Sequence, residues 1–212
     1  MAEFVPFRLG VLGSGGGSNF GAIVESCQNG ALSTVQASVA VVLSDVEKAL
    51  ILERARDVEV NCTHIAPGNF RTKLDDAAEA AYIKALNDVE VDLVVLAGFM
   101  RVLKGEFLRA FEGRVVNVHP SLLPAFPGLE AWKQALDHGV KVTGATVHFV
   151  DQGVDSGAII AQKSVPVLDD DTPGTLHKRI HGAEHRIYPE AIAAIARGEI
   201  ALRGRGTIKV AR

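Results

Sequence analysis

Asn117 and His119 stand two residues apart at the end of an apolar, β-branched run, Arg114-Val115-Val116. Residues two apart in a strand point to the same face, so the amide and the imidazole can converge where the strand stops. Pro120, Pro124 and Pro127 then stiffen the segment that follows. An uncharged donor beside a side chain of the kind that titrates near neutrality suits the stabilisation of charge appearing during a reaction.

Three further groups bear on that pair. Asp155 sits among glycines and can approach the imidazole from across a cleft, where a carboxylate favours the charged ring. Asp151 is its rival in the same loop, and either can equally be a solvated loop aspartate. Gly13-Ser-Gly-Gly-Gly17-Ser18-Asn19 follows a strand and opens a helix, which is where backbone amides cradle an anion. The dinucleotide fingerprint needs a third glycine where Ser18 or Phe20 stands, and the P-loop lysine is missing. The alternative is a tight turn with Ser18 as N-cap. Gly98-Phe-Met100-Arg101-Val102-Leu103 leaves the strand Asp92–Ala97; its side chains either cap the core or leave backbone exposed for a flat heterocycle. Loops 13–19, 98–103 and 117–128 all leave carboxyl ends of strands, so they should line one cleft.

The remaining histidines read more quietly. His177, His181 and His185 recur every four residues with Glu184 beside them; a metal site is conceivable, but no HExxH motif supports it. His64 and His148 read as structural, and His138 as a helix C-terminal residue. Cys27 and Cys62 lack metal spacing and read as inert thiols of a reducing compartment.

Holding these loops together requires alternating strands and helices. Strand patterns cover 7–13, 35–43, 60–65 and 92–97; helix patterns cover 18–29, 47–57, 70–87 and 104–111. The result is an α/β fold with an open, mostly parallel twisted sheet and helices on both faces. In the C-terminal half a helix over 128–138 precedes strands 142–150 and 158–165, an antiparallel addition to that sheet. A long helix over 173–197 closes the fold; Pro173 suits its first turn, Gly198 its end, and Pro189 should kink or split it. Residues 201–212 read as a peripheral strand or loose tail.

The chain has 212 residues, 48% of them hydrophobic, which suits one domain with a sizeable core. Its net charge of −3 gives no sign of a nucleic-acid or membrane surface. No apolar run is long enough to span a bilayer, and residues 1–8 do not resemble a signal peptide.

SGGGSN at 14–19, LAGFMRVL at 96–103, NVHPSLLPAFPG at 117–128, TGATVHFV at 143–150, VDSGAII at 154–160 and EHRIYP at 184–189 resemble the phosphoribosylglycinamide formyltransferase family. The resemblance runs from about residue 8 to residue 198, and implies a single Rossmann-like formyltransferase domain over 1–198 followed by a basic tail over 199–212. It implies transfer of a formyl group from 10-formyltetrahydrofolate to the glycine amine of the phosphoribosyl substrate, with no metal. Asn117, His119 and Asp155 match the family's catalytic trio. Gly17, Ser18 and Asn19 match its phosphate loop, and Glu184 with His181 its ribosyl grip. Met100, Arg101, Val102 and Leu103, with Asp151, Val154, Asp155 and Asn117, match the folate side. Lys73 stands where relatives use arginine toward the folate carboxylates, as a point charge without the bidentate fork. The resemblance also implies a cis Leu123–Pro124 bond, small-molecule partners only, a cytoplasmic location and a possible homodimer.

Other readings keep distinct signatures. A formyltetrahydrofolate hydrolase shares the trio but is expected to carry an N-terminal regulatory domain, for which seven residues before the first strand leave no room. A methionyl-tRNA formyltransferase is expected to carry a C-terminal RNA-binding domain, which the length excludes. A non-catalytic folate- or nucleotide-binding module predicts binding without turnover. The failed glycine fingerprint disfavours an NAD-dependent oxidoreductase.

Overall fold

A computed structural model describes residues 6–203 and 206–209. Its seven-stranded sheet comprises β1 (Arg8–Leu12), β2 (Ser38–Ser44), β3 (Cys62–His64), β4 (Leu93–Leu96), β5 (Val115–His119), β6 (Val142–Phe149) and β7 (Ile159–Pro166). The spatial order is β3-β2-β1-β4-β5-β6-β7. The first five strands are parallel, and β6 and β7 add antiparallel. The chain winds outward from β1 to β3, then restarts on the other side with β4. The β1/β4 boundary is therefore the topological switch point, where sheets of this type leave a crevice.

The helices are α1 (Ser18–Asn29), α2 (Leu50–Asp57), α3 (Asp76–Asn87), α4 (Gly105–Ala110), α5 (Ala131–Asp137) and α6 (Pro173–Ala196). Alternation along the strands divides the core in two. Leu9, Val11, Val95, Val116, Val118 and Val147 pack against α1, α2, α5 and α6. Leu12, Val94, Leu96 and Val115 pack against α3 and α4. That second layer covers Val115; farther along the same face of β5 come Asn117 and His119. The period-two rule thus puts the two polar side chains beyond the edge of an apolar layer.

Several boundaries differ from the sequence reading. The helix expected over 70–87 begins at Asp76, because Asp75 caps it by accepting from the Ala78 N–H at 2.9 Å. Residues 72–73 instead run beside Val102, whose N–H donates to the Thr72 carbonyl at 2.8 Å. The strand expected from Val35 starts at Ser38, after a 3₁₀ turn at Ser33–Val35. The helix expected from Glu47 starts at Leu50. Pro189 does not split α6, which runs unbroken from Pro173 to Ala196. Ile187, Tyr188, Ala191 and Ile192 are all buried around it, so packing outweighs the ~3 kcal/mol that an internal proline costs. The tail forms a hairpin of β8 (Ile200–Arg203) and β9 (Gly206–Lys209). Residues 1–5, 204–205 and 210–212 lie outside the described residues, including parts of the leader and tail readings.

Among the described residues no helix is long and apolar enough to cross a membrane. Both cysteines are free, and burial pushes the Cys27 thiol up to about 11. The Leu123–Pro124 bond is cis.

Tyr188 ties α6 to the strand ends that carry the site. Its fully buried hydroxyl lies 3.0 Å from the carbonyl oxygens of both Leu96 and Val116. Tyr188→Phe is expected to lower stability by about 1–2 kcal/mol, read from urea midpoints, since it leaves buried acceptors without this donor. An unchanged midpoint would show the bond contributes nothing net.

Candidate active site

The antiparallel register of β5 and β6 builds the centre of the site. It sets Asn117 opposite His148 and His119 opposite Thr146. His148 Nδ1 lies 2.8 Å from the Phe149 carbonyl, which can only accept, so this nitrogen carries the proton. Nε2 is then an acceptor, and Asn117 Nδ2 donates to it at 3.3 Å. Burial holds His148 below the usual histidine range, in keeping with a neutral ring. One N–H of Asn117 is thereby fixed, and the other remains for a ligand.

His119 is buried, with Nε2 2.9 Å from the Phe126 carbonyl and Nδ1 3.3 Å from Asp155 Oδ2. The Phe126 carbonyl can only accept, so Nε2 carries a proton, while Nδ1 faces the Asp155 carboxylate. Asp155 Oδ2 also accepts from the Gly128 N–H at 2.8 Å, and Oδ1 lies 3.8 Å from His148 Nε2. Asp151 takes no part in this cluster; its Oδ1 accepts from Gly153 N–H and Ser156 Oγ within its own loop. Of the two rival aspartates, Asp155 meets the imidazole. It does so from a left-handed backbone (φ 51°) that Asp tolerates better than most residues.

The 119–128 segment is clamped from the antiparallel side. Thr146 Oγ1 accepts from Leu123 N–H at 3.0 Å and donates to the Ser121 carbonyl at 2.7 Å. Gln162 Nε2 donates to the Leu123 carbonyl at 2.8 Å. These bonds hold the loop that brings Phe126 to the ring.

At the switch point, Gly17 rather than Ser18 is the N-cap of α1, and no side chain caps the helix. Gly17 has φ 70°, and a Cβ there would lie 2.9 Å from Ile51, so the position requires glycine. The first amides of α1 are left for an anion. Behind them, Asn19 Nδ2 donates to Glu184 Oε2 at 2.8 Å, while buried Asn19 Oδ1 has no partner. Burial pushes the Glu184 carboxyl up to about 7, opposed by the bond from Asn19. An acceptor without a partner and a buried carboxyl, both behind the first amides of α1, suit a ligand that carries both a phosphate and hydroxyl donors.

A scan against known families matches residues 7–192 to formyl transferase. The chain belongs to the formyl transferase family. It is 43% identical over 185 residues to phosphoribosylglycinamide formyltransferase of Bacillus subtilis, covering 87% of this chain and 92% of that protein. It is 44% identical to the trifunctional purine biosynthetic protein adenosine-3 of Drosophila melanogaster over 90% of this chain. There it spans only 14% of the longer protein. Glycinamide ribonucleotide transformylase 1 of Symbiobacterium toebii superposes with a TM-score of 0.91 at 49% identity, over 97% of this chain and 95% of that one.

Within this formyl transferase fold the 98–103 loop divides its residues. Phe99 and Leu103 are core, whereas Met100 is 58% exposed. The Arg101 guanidinium turns inward, with Nε donating to Asp45 Oδ2 at 2.7 Å and Nη1 to the Phe70 carbonyl at 2.8 Å. The Arg101 Nε and Nη1 are thus committed inside the fold, and buried Leu103 offers a ligand there only its backbone. Lys73 lies over the Phe70 ring at 4.1 Å, and Val154 is exposed.

His177, His181 and His185 form a ladder of rings along α6, ending with His177 stacked on Trp132 at 3.6 Å. His181 Nε2 is 3.9 Å from Glu184 Oε2, beyond hydrogen-bond reach. Among the described residues no group of three or more His, Cys, Asp or Glu could hold a metal ion.

From sequence alone His148 reads as structural, and nothing singles out Asp45. The signal for His148 was its alternation with Thr146 on a strand bound to pair with β5. Asp45 carried no local signal.

Glu184 makes stability depend on pH. Its folded carboxyl titrates near 7 against an ordinary 4.5, so the native state binds the proton more tightly than the unfolded chain. Stability is lost as pH rises from about 4.5 through 7, by roughly 3 kcal/mol in all. Glu184→Gln is expected to be more stable than the wild type at pH 8 by roughly 2–3 kcal/mol, the difference closing toward pH 5. Urea titrations at the two pH values read this; a difference that does not vary with pH would contradict it.

Proposed function

We propose that this chain transfers the formyl group of 10-formyltetrahydrofolate to the amine of N1-(5-phospho-D-ribosyl)glycinamide, giving the N-formyl product and tetrahydrofolate in purine biosynthesis. The observation that carries the reading is the convergence of Asn117, His119 and Asp155 at the end of β5. The uncapped α1 terminus and Glu184 support a phosphoribosyl partner.

In this mechanism the neutral amine attacks the formyl carbon, and negative charge grows on the carbonyl oxygen. The second N–H of Asn117 and the His119 imidazolium stabilise that oxyanion. Asp155 faces the imidazolium and helps relay a proton, through water, from the attacking amine to the departing folate nitrogen. No covalent enzyme intermediate is needed. The phosphate rests on the amides of Gly17, Ser18 and Asn19, with His181 and Glu184 at the ribosyl end. The pteridine enters beside Met100–Leu103 and the backbone of Asp151–Asp155, near Val154, while Lys73 serves the folate carboxylates. Holding both substrates in one cleft supplies much of the remaining rate. The same reading takes 1–198 as one domain and 199–212 as its tail. It includes small-molecule substrates, a cytoplasmic location and a homodimer, and involves no metal, nucleic acid or membrane.

The test mixes the protein with 10-formyltetrahydrofolate, with and without the ribonucleotide. Tetrahydrofolate release that requires the ribonucleotide is expected. Release that ignores it favours a hydrolase, and binding of both without release favours a non-catalytic module.

A further inference from the structure

Between residues 13 and 17 the chain reads Gly-Ser-Gly-Gly-Gly, so Ser14 carries the only side chain in the loop. A Cβ built at Gly15 or Gly16 would meet nothing within 4 Å, so the outer side of this stretch packs on nothing. Ser14 is its lateral handle, and it reaches the neighbouring loop twice. Its N–H donates to the Gly98 carbonyl at 3.0 Å, and its Oγ accepts from the Met100 N–H at 2.8 Å. The hydroxyl proton goes to Asp45 Oδ1 at 2.5 Å.

Asp45 is in turn held from the other side. Its carboxylate, 2% exposed, pairs with Arg101 at 2.7 Å, and Arg101 also donates to the carbonyls of Phe70 and Arg71. Ser14, Asp45, Met100 and Arg101 therefore close a ring of polar contacts across three strand ends, β1, β2 and β4, at the switch point. Removing one partner of a buried charged pair is costly, so the Asp45–Arg101 pair ties the two loops to each other. Nothing in it is needed to hold the sheet, whose strands pair by their own backbone. What the ring does fix is the position of the 13–17 loop relative to the 98–103 loop.

We infer that Ser14, set by the Asp45–Arg101 pair, is a positioning residue that couples the two substrate seats. Seating the phosphate on the α1 amides immobilises the glycine loop, and with it the Ser14 hydroxyl. That fixes the Met100 N–H and the exposed backbone where the pteridine lies. The ordering cost of the second loop is met by the first ligand, so the second binds more tightly; linkage makes the effect equal in both directions. This inference rests on the two-substrate reading above.

The experiment uses glycinamide ribonucleotide and tetrahydrofolate, which lacks the formyl group and so forms a ternary complex that cannot turn over. Calorimetry gives the Kd of each ligand with and without the other. In the wild type each is expected to lower the other's Kd at least about fivefold. In Ser14→Ala the factor is expected to fall below about twofold. Hydrogen exchange of the wild type supplies a readout independent of any variant: the ribonucleotide alone should slow exchange of the Met100 amide. A folded Ser14→Ala that keeps the wild-type factor overturns the inference, as does an unchanged Met100 amide. A wild type that turns over but shows a factor of one overturns the coupling alone. A wild type without ribonucleotide-dependent formyl transfer overturns the functional reading and the inference with it.

Discussion

Replacing His119 by alanine is expected to lower kcat by about three orders of magnitude while both substrates still bind with near-wild-type Kd. The size follows from what surrounds the ring. Nε2 lies against the Phe126 carbonyl and Nδ1 against the Asp155 carboxylate, so an imidazolium acting here is a full charge in a buried position beside its counter-charge. A fixed positive charge close to a developing oxyanion in a low-dielectric cleft acts far more strongly than it would in water. Truncation removes that charge but leaves the α1 amides, Glu184 and the 98–103 backbone untouched, so binding should persist. Single-turnover kinetics with calorimetry separates the two effects. A kcat within about tenfold of the wild type would sink the assigned role. Equal loss of kcat and binding would instead point to a collapsed loop, since the ring also anchors Phe126.

Much of this centre could be read from the chain because it rests on local periodicity. The period of two along 115–119 was enough to put Asn117 and His119 on one face. The apolar strands and the glycine loop gave the parallel sheet and its crevice. Contacts between distant segments were not readable in the same way. His148 owes its role to the β5–β6 register, which joins residues 31 positions apart. Asp45 and Arg101 meet across 56 positions, so the Arg101 charge is committed to a partner inside the fold that no local pattern names. Residues 70–75 looked helical in composition, but their pairing with Val102 and the cap at Asp75 were tertiary and local competitors that composition does not weigh. The choice between Asp151 and Asp155 likewise turned on loop conformation: Asp151 spends its carboxylate on its own turn. The chemistry of formyl transfer came from family resemblance, since local spacing names no substrate.

Asp155→Asn is expected to lower kcat roughly 10²-fold with little change in either KM. Asparagine is among the few residues that accept the left-handed backbone found at this position, and its Oδ1 can keep the bond from Gly128 N–H. The substitution therefore deletes the charge facing His119 and little else. Asp155→Ala is the contrasting case. It removes the same charge, gives up the Gly128 bond and puts a Cβ without a compensating side chain into a conformation that costs about 1–2 kcal/mol. The 151–157 loop should then shift, so alanine is expected to raise the folate KM as well as to lower kcat. If the asparagine variant keeps kcat within about fivefold of the wild type, the carboxylate's charge is not what the reaction uses. If both variants raise the folate KM equally, the charge itself holds the loop, and Gly128 and the backbone strain are secondary. Only a split, with kcat lost in both and KM raised in alanine alone, assigns separate work to the charge and to the shape of this one residue.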